Sequence, residues 1–566
     1  MALPAVAQNM GGGFPSLPAA AIDVRTGDLR RQLAAYDQNP LARGVQPDYV
    51  ISPSIGVDVG VTDNARGTER NRQADIFTII SPAITVSAET ARLRVNGTYS
   101  PTIYVYANQG DQTRIDQTGA VNALLQVVPG LVFLDVRGSV TQASRTGGQG
   151  GYNSTGSFNG NGSNPAQNRQ DQVQSLTFSI TPYVEQRFGG WGTARAGYSF
   201  LRTLQDTGSN STNYNNFVGP TQFQQAFNTS GLATQGVTGN LTTQRERVSF
   251  VTGENLGRFN VTTSAEAVQY AGGGAYRGAY RNTVNADLGY AVTRTITAVA
   301  GAGYQDIKFS GTPGYRVQEP VWNVGVRLTP NTDSTISVGF GRKDGANSLY
   351  LDAATAPTAR TRLYARYSQG LSTDAEGQQD LLQSTTIGST GLLQDSTTGA
   401  PVAATGAQFG TQNGLYRLRR FSVSGSLLLN RDTFSISLVN EDRSNISAVT
   451  FGPAVNGSVL PVLPAGSASN GTFGTLSWQH ELTPVMTLSA SGTYGITEFT
   501  NLGNSGGTRQ TSISGQAALS YQFTETLSGS VRYLYQQRNS NQAQTLFGTQ
   551  GNTVQNTLLA GLRKSF

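Results

Sequence analysis

From Tyr49 onward the chain alternates. Tyr49, Ile51, Pro53, Ile55, Val57, Val59 and Val61 share one parity, and Ser52, Ser54, Gly56 and Asp58 share the other. A period of two is the pattern of a β-strand with one apolar and one polar face. The alternation resumes after the polar segment 62–73, in a strand running to about Ala88 with Ile80, Ile84 and Val86 on its apolar face. A tight turn at Glu89-Thr90 leads to a third strand. Its Leu93, Val95, Tyr99, Ile103 and Val105 alternate with Arg94, Asn96, Thr98 and Ser100. The chain closes the same way: Val554, Leu558, Ala560, Leu562 and Phe566 on one parity, Gln555, Thr557 and Arg563 on the other.

Between such strands the connections alternate in length. Short ones fall at Pro129-Gly130, Gly189-Gly190, Asn255–Gly257, Thr293-Arg294, Pro330-Asn331, Ala356-Pro357, Asn430-Arg431, Thr483-Pro484 and Thr524-Glu525. Long ones, rich in Gly, Asn, Ser, Thr and Gln, cover 144–172, 205–238, 372–415 and 441–470, with shorter loops between them. Tight turns at one end and long polar loops at the other predict an all-β, transmembrane, antiparallel up-and-down β-barrel with short periplasmic turns and long extracellular loops. The count is about 22 strands, within 20–24, and an even number returns both termini to one side. Residues 9–47 lack the alternation. Leu29, Leu33 and Tyr36 follow Asp28 at helical spacing, predicting a short periplasmic helix that serves as a tether. The expected division is therefore 1–47, an N-terminal segment, and 48–566, the barrel.

Composition agrees with a wall rather than a globule. Of 566 residues 37% are hydrophobic and 13% charged, and 68 are glycine, too little apolar content for one thick core. A barrel needs none, because one face of each strand meets lipid and the other water. No run approaches the ~18 apolar residues of a membrane helix. There is no cysteine, which removes disulfides and thiolate metal sites. The opening MALPAVAQ reads as the remnant of a signal peptide, with Ala5-Val6-Ala7 before Gln8 as a small-residue cleavage site. Net charge is +6, almost all of it arginine; the lysines are Lys308, Lys343 and Lys564. The cations are dispersed along strands without a basic block, so nucleic acid is not an expected partner. Aromatic residues stand near predicted strand ends: Tyr49, Phe188, Trp191, Tyr290, Trp322, Trp478, Phe523 and Tyr533. They match interfacial girdles, although strand propensity for aromatics accounts for them as well.

The closing strand resembles the last strand of outer-membrane barrels, which commonly ends in Phe after alternating apolar positions. Lys564 stands where that pattern usually has an apolar residue. The likeness implies that Phe566 serves as a barrel-assembly signal and that the barrel assembly machinery is a partner. The segments DYVISPSIGVDVGVTDN (48–64), SPAITVSAETARLRVNGTYSPTIYVYAN (81–108) and RTRLYARYSQGLST (360–373) resemble the strand signatures of a family of outer-membrane β-barrel porins. This family includes a branch associated with exosortase and exopolysaccharide gene clusters. The resemblance implies a bacterial outer-membrane location, contact with outer-membrane lipid, and periplasmic polysaccharide-export components as partners. It brings no catalytic residue.

Candidate chemistry is sparse. His480 is the single histidine. Its parity groups it with Leu476, Trp478 and Leu482, outward and near the Thr483-Pro484 turn, and the residue two positions on is Leu482 rather than a serine. It reads as an interfacial histidine, not a triad member. No metal, cofactor or catalytic residue is expected. Glu441 with Asp442, and Asp374 with Glu376, are the loosest of calcium candidates and read better as solvated loop charge. GFGRKDG (339–345) and AGGGAYRG (271–278) lack the strand–helix setting of a nucleotide loop and read as hairpin tips.

The polar parity is the informative feature. If apolar residues face lipid, Arg92, Arg94, Arg137, Arg195, Arg245, Arg247, Arg327, Arg362, Arg366, Arg420 and Arg532 line the lumen, against fewer acids, Asp58, Asp135, Glu185, Glu266 and Asp287. An excess of guanidinium concentrates anions. These arginines could instead pair with lumen and loop acids and simply keep the lumen wet. The expected function is a passive outer-membrane conduit, serving export of an acidic exopolysaccharide or diffusion of anionic hydrophilic solutes. The lumen is either open or filled by a long loop such as 372–415 folding inward. A non-conducting, surface-anchoring barrel is the alternative.

Overall fold

The structure, a computed structural model, describes residues 49–144, 172–206, 240–387, 393–395, 414–450, 462–463, 465–500, 508–541 and 552–566. Its long strands begin with β1 (Tyr49–Thr62), β2 (Asp75–Glu89), β3 (Leu93–Tyr106), β4 (Arg114–Val128), β5 (Val132–Ser144), β6 (Gln172–Arg187), β7 (Gly192–Asp206), β8 (Leu241–Thr252), β9 (Phe259–Gly272), β10 (Tyr280–Ala291) and β11 (Ile296–Phe309). They continue with β12 (Tyr315–Asn331), β13 (Ser334–Lys343), β14 (Ala346–Thr358), β15 (Thr361–Ser372), β16 (Tyr416–Leu428), β17 (Asp432–Asn445), β18 (Ala468–Thr483), β19 (Met486–Thr500), β20 (Thr508–Gln522), β21 (Leu527–Ser540) and β22 (Thr553–Ser565). Each pairs antiparallel with the next, and β22 returns to β1, with Val57 opposite Leu562 and Thr62 opposite Thr557. The Phe566 amide donates to the Pro53 carbonyl at 2.9 Å. The result is one 22-stranded sheet without a free edge. The expected architecture and strand number are both present.

Period two decides which face each side chain takes. Along β1, Val57, Val59 and Val61 are exposed while Gly56, Asp58, Gly60 and Thr62 are buried. Ile436 and Leu476 stand opposite each other across β17 and β18, 58% and 57% exposed. The exposed aliphatic row is therefore the outer surface. Among the described residues no helix is long and apolar enough to cross a membrane.

One end of the barrel has short turns throughout. The other carries the longer connections, with one exception: β13 and β14 are joined by Asp344 and Gly345 alone, at φ +53° and +73°. Two consecutive positive φ values are what a two-residue type I′ hairpin turn requires, and glycine takes the second without strain. The alternation of tight turns and longer loops is thus not strict. The turn expected at Ala356-Pro357 falls later, at 359–360. β14 continues through Pro357 because that residue lies in the register irregularity between Thr355 and Thr358, where proline is tolerated. The segment 1–47, with its expected helix, and most of the four long loops lie outside the described residues.

The inner face is not uniformly wet. In the half nearer the long loops, Phe77, Ile79, Tyr104, Tyr106, Leu534 and Leu559 form one buried apolar cluster. Leu241, Val268, Tyr270, Ile307 and Phe309 belong to a second. Some rings lie directly over glycines of the next strand. A Cβ at Gly495 would stand 2.2 Å from the Phe473 ring, and one at Gly339 2.2 Å from that of Tyr350. Gly495→Val is therefore expected to lower stability by about 1–3 kcal/mol through overpacking. The urea midpoint of the barrel in detergent reads this directly, and an unmoved midpoint would contradict the contact.

Candidate functional site

The site is built by the one α-helix among the described residues. Helix α1 (Asp374–Ser384) follows β15 directly. Thr373 caps it, its hydroxyl accepting from the Glu376 amide at 3.2 Å and its carbonyl from the Gly377 amide at 2.8 Å. Asp374 and Glu376 sit in the first turn, where negative charge suits the helix dipole.

What α1 touches fixes where it lies. Its partners come from β5, β6, β8, β9 and β10 on one side and from β16 and β17 on the other, and only the interior reaches both. Asp374 is level with the strand ends at Ser372 and Tyr416. Gln383 reaches Arg137, near the middle of β5, and Arg245, near the middle of β8. The helix therefore begins at the long-loop mouth and descends to about half the barrel's height.

An ion-pair network holds it. Arg443 is fully buried, with Nη1 2.8 Å from Asp374 Oδ1, Nε 2.7 Å from Glu441 Oε1, and its guanidinium 4.6 Å from the centre of the Tyr416 ring. The Tyr416 hydroxyl donates to Asp374 at 2.7 Å. Arg281 lies 3.4 Å from Asp344 and 3.6 Å from Glu376, and Tyr270 donates its hydroxyl proton to Glu376 at 2.8 Å. Farther down, Arg245 donates to Gln383 Oε1 at 2.6 Å and lies 3.7 Å from Asp380. Arg137 donates to the Gln383 carbonyl at 2.7 Å and pairs with Asp135 at 3.0 Å. Ser175 hydrogen-bonds Gln378, and Gln379 donates to the Leu241 carbonyl.

The other arginines singled out by parity distribute as follows. Arg94 pairs with Glu89 at 3.1 Å, Arg195 with Glu185, Arg247 with Glu266 at 3.5 Å, and Arg532 with Asp58 at 2.7 Å. Arg366 lies 3.7 Å from Asp352 and Arg420 4.0 Å from Glu441. Arg327 donates to the Ser337 hydroxyl, while Arg92, in the turn, and Arg362 are exposed. Phe566 is 72% exposed at the short-turn end. Parity missed Arg114, Arg281 and Arg443. Arg114 and Arg281 lie within two residues of a strand start, and Arg443 lies in a stretch read as loop. The pair Asp374 and Glu376 is engaged by Arg443, Arg281 and two tyrosine hydroxyls, and Asp442 by Arg419 at 3.8 Å. Asp374, Glu376 and Glu441 are therefore buried and paired, not the solvated loop charge expected from the sequence. His480 Nδ1 lies 2.8 Å from Asp432 Oδ1, which also accepts from Trp478 at 2.8 Å. The histidine is braced at the short-turn end beside a tryptophan.

No protein-family model matches the sequence, and no curated protein matches it. Among solved structures, the chain is similar to the siderophore receptor PirA from Acinetobacter baumannii, at 12% identity and a TM-score of 0.42, over 91% of this chain and 80% of that one. It is also similar to OccK5 (OpdH) from Pseudomonas aeruginosa, at 9% identity and a TM-score of 0.30, over 91% of this chain and 98% of that one. The barrel itself is established by the unbroken ladder from β1 through β22 and back.

Proposed function

We propose that this chain is a bacterial outer-membrane channel for hydrophilic solutes, with a bore narrowed by α1 and a preference for small anions. The outer aliphatic row supports the membrane location. Roughly 9–11 tilted residues cross a bilayer. The 17 residues of β12 therefore reach beyond it. In this reading the short turns face the periplasm and the long loops face outward.

The observation that carries the channel reading is α1 itself, a helix descending inside the wall to about half its height and leading into a short hairpin of 385–387 with 393–395. Below it the inner faces of β15 and β16 stay open: Arg362 is exposed, Arg366 is 41% exposed, and Ser422, Ser424 and Ser426 are half-buried. The charge balance also differs along the bore. Near α1, Arg137, Arg245, Arg281 and Arg443 each meet an acid. Toward the short turns, neither Arg362 nor Arg563 has a carboxylate within 4.0 Å among the described residues, and Arg563 shares the field of Asp58 with Arg532. Uncompensated guanidinium in a narrow aqueous passage attracts anions. An exopolysaccharide would have to pass beside α1, whereas small anionic solutes need no more than the passage that remains.

Planar-bilayer recording tests the reading. Steady conductance and a reversal potential of chloride sign in a potassium chloride gradient are expected. Arg362→Glu combined with Arg563→Glu should shift the permeability ratio toward potassium by about twofold to fivefold. A sealed barrel would favour the non-conducting, surface-anchoring alternative, and native cation preference would refute the anion reading.

A further inference from the structure

On the outer wall at the long-loop end, one charged patch stands apart. Lys308 of β11 lies directly opposite Arg316 of β12, and both side chains are exposed on the outer face. Arg277, at the tip joining β9 to β10, is exposed beside them, its carbonyl accepting from the Ser310 hydroxyl. Among the described residues none of the three cations has a carboxylate within 4.0 Å. Other outer-face arginines at this end behave differently: Arg419 pairs with Asp442 at 3.8 Å and Arg509 with Glu498 at 3.5 Å. The acid nearest along the strand, Asp306, receives the Tyr280 hydroxyl at 3.3 Å. Like charges placed directly opposite each other in a sheet repel unless an anion lies between them.

The position of the patch identifies that anion. Below the patch, past Asp306 and Gln318, the same wall turns apolar from Tyr304 and Pro320 downward. Ala302, six residues down β11, stands opposite Trp322 of β12. Six residues span about 20 Å along a strand. With the strands tilted, the cations sit at the rim of the apolar band, at the height of lipid headgroups. A soluble anion would gain nothing from the surface below, whereas a lipid phosphate brings acyl chains that cover it.

We propose that the outer face of β10–β12 at the long-loop end binds a phosphorylated, anionic membrane lipid, with its phosphate between Lys308 and Arg316 and within reach of Arg277. This rests on the membrane-barrel reading, and its failure can be told apart from failure of that reading.

Trp322 supplies the probe. The other tryptophans, Trp191 and Trp478, lie toward the short turns and can be replaced by phenylalanine. The full-length barrel is reconstituted in phosphatidylcholine vesicles containing brominated phosphatidylglycerol or, in parallel, brominated phosphatidylcholine, and quenching of Trp322 is recorded. Each basic residue near an anionic headgroup contributes roughly 1 kcal/mol, so phosphatidylglycerol is expected to occupy the site at least about fivefold more tightly. Lys308→Glu with Arg316→Glu should bring the two lipids to parity. Lys308→Gln alone should give an intermediate ratio, and it serves if the double variant does not assemble. Equal quenching by the two lipids in the unaltered barrel, or a preference that survives the double variant, overturns the proposal. So does displacement by millimolar inorganic phosphate, which would make the ligand a free anion. Absence of quenching by either lipid would instead strike the membrane reading itself.

Discussion

Replacing Arg443 by alanine is expected to undock α1 from the wall. The side chain is fully buried and stands between two carboxylates, Asp374 on the helix and Glu441 on β17. Its removal leaves both acids without their principal cation. Losing one partner of a buried ion pair costs about 3–5 kcal/mol, because the remaining charge is stranded away from water. The loss falls on α1 rather than on the barrel, since the strand ladders do not depend on it. Amide exchange over 374–384, followed by mass spectrometry in detergent micelles, should therefore accelerate by roughly 10²–10⁴-fold. Exchange in β17 itself should barely change. Arg443→Met combined with Asp374→Asn and Glu441→Gln removes all three charges together and should recover most of the protection, as coupled sites do in a mutant cycle. Slow exchange in Arg443→Ala would show that α1 is held by something other than this network.

The wall was legible and the helix was not, for physical reasons. A strand lodged between apolar and polar surroundings must alternate at every position, so β1, β3 and β22 could be read almost residue by residue, and His480 could be placed outward. The boundary of β14 is not legible in the sequence because proline, usually a stop, sits at a register irregularity there. The segment 373–384 is short and polar, and its partners are spread over distant strands, so no local period announces that it lies inside. One signal was present: Thr373 and Glu376 stand at the spacing of a helix capping box, and the Thr373 hydroxyl does accept from the Glu376 amide. The inner apolar clusters also left a trace in the run Ile76-Phe77-Thr78-Ile79-Ile80, where apolar residues occupy both parities. A strand that is apolar on both faces is covered on both.

The second large effect concerns the bore. Replacing residues 374–384 with a glycine–serine linker of equal length is expected to raise single-channel conductance by roughly the share of the bore that the helix fills. With strands about 4.8 Å apart and tilted by about 40°, 22 of them enclose a cylinder roughly 40 Å across at the backbone. An α-helix with its side chains occupies about 10–12 Å of that width. It does so at the level where the inner wall is also narrowed by the clusters around Phe77 and Tyr270. Excision changes charge as well as size. Arg443, Arg281 and Arg245 lose Asp374, Glu376 and Asp380 as partners. Selectivity for chloride should therefore rise together with conductance. The two contributions separate in Asp374→Asn, Glu376→Gln, Asp380→Asn, which removes the acids and leaves the helix. That variant should shift the reversal potential toward chloride with little gain in conductance at high salt, where fixed charge is screened. If excision left conductance unchanged, the narrowest point would lie elsewhere and α1 would be a brace for the wall rather than the constriction of a pore.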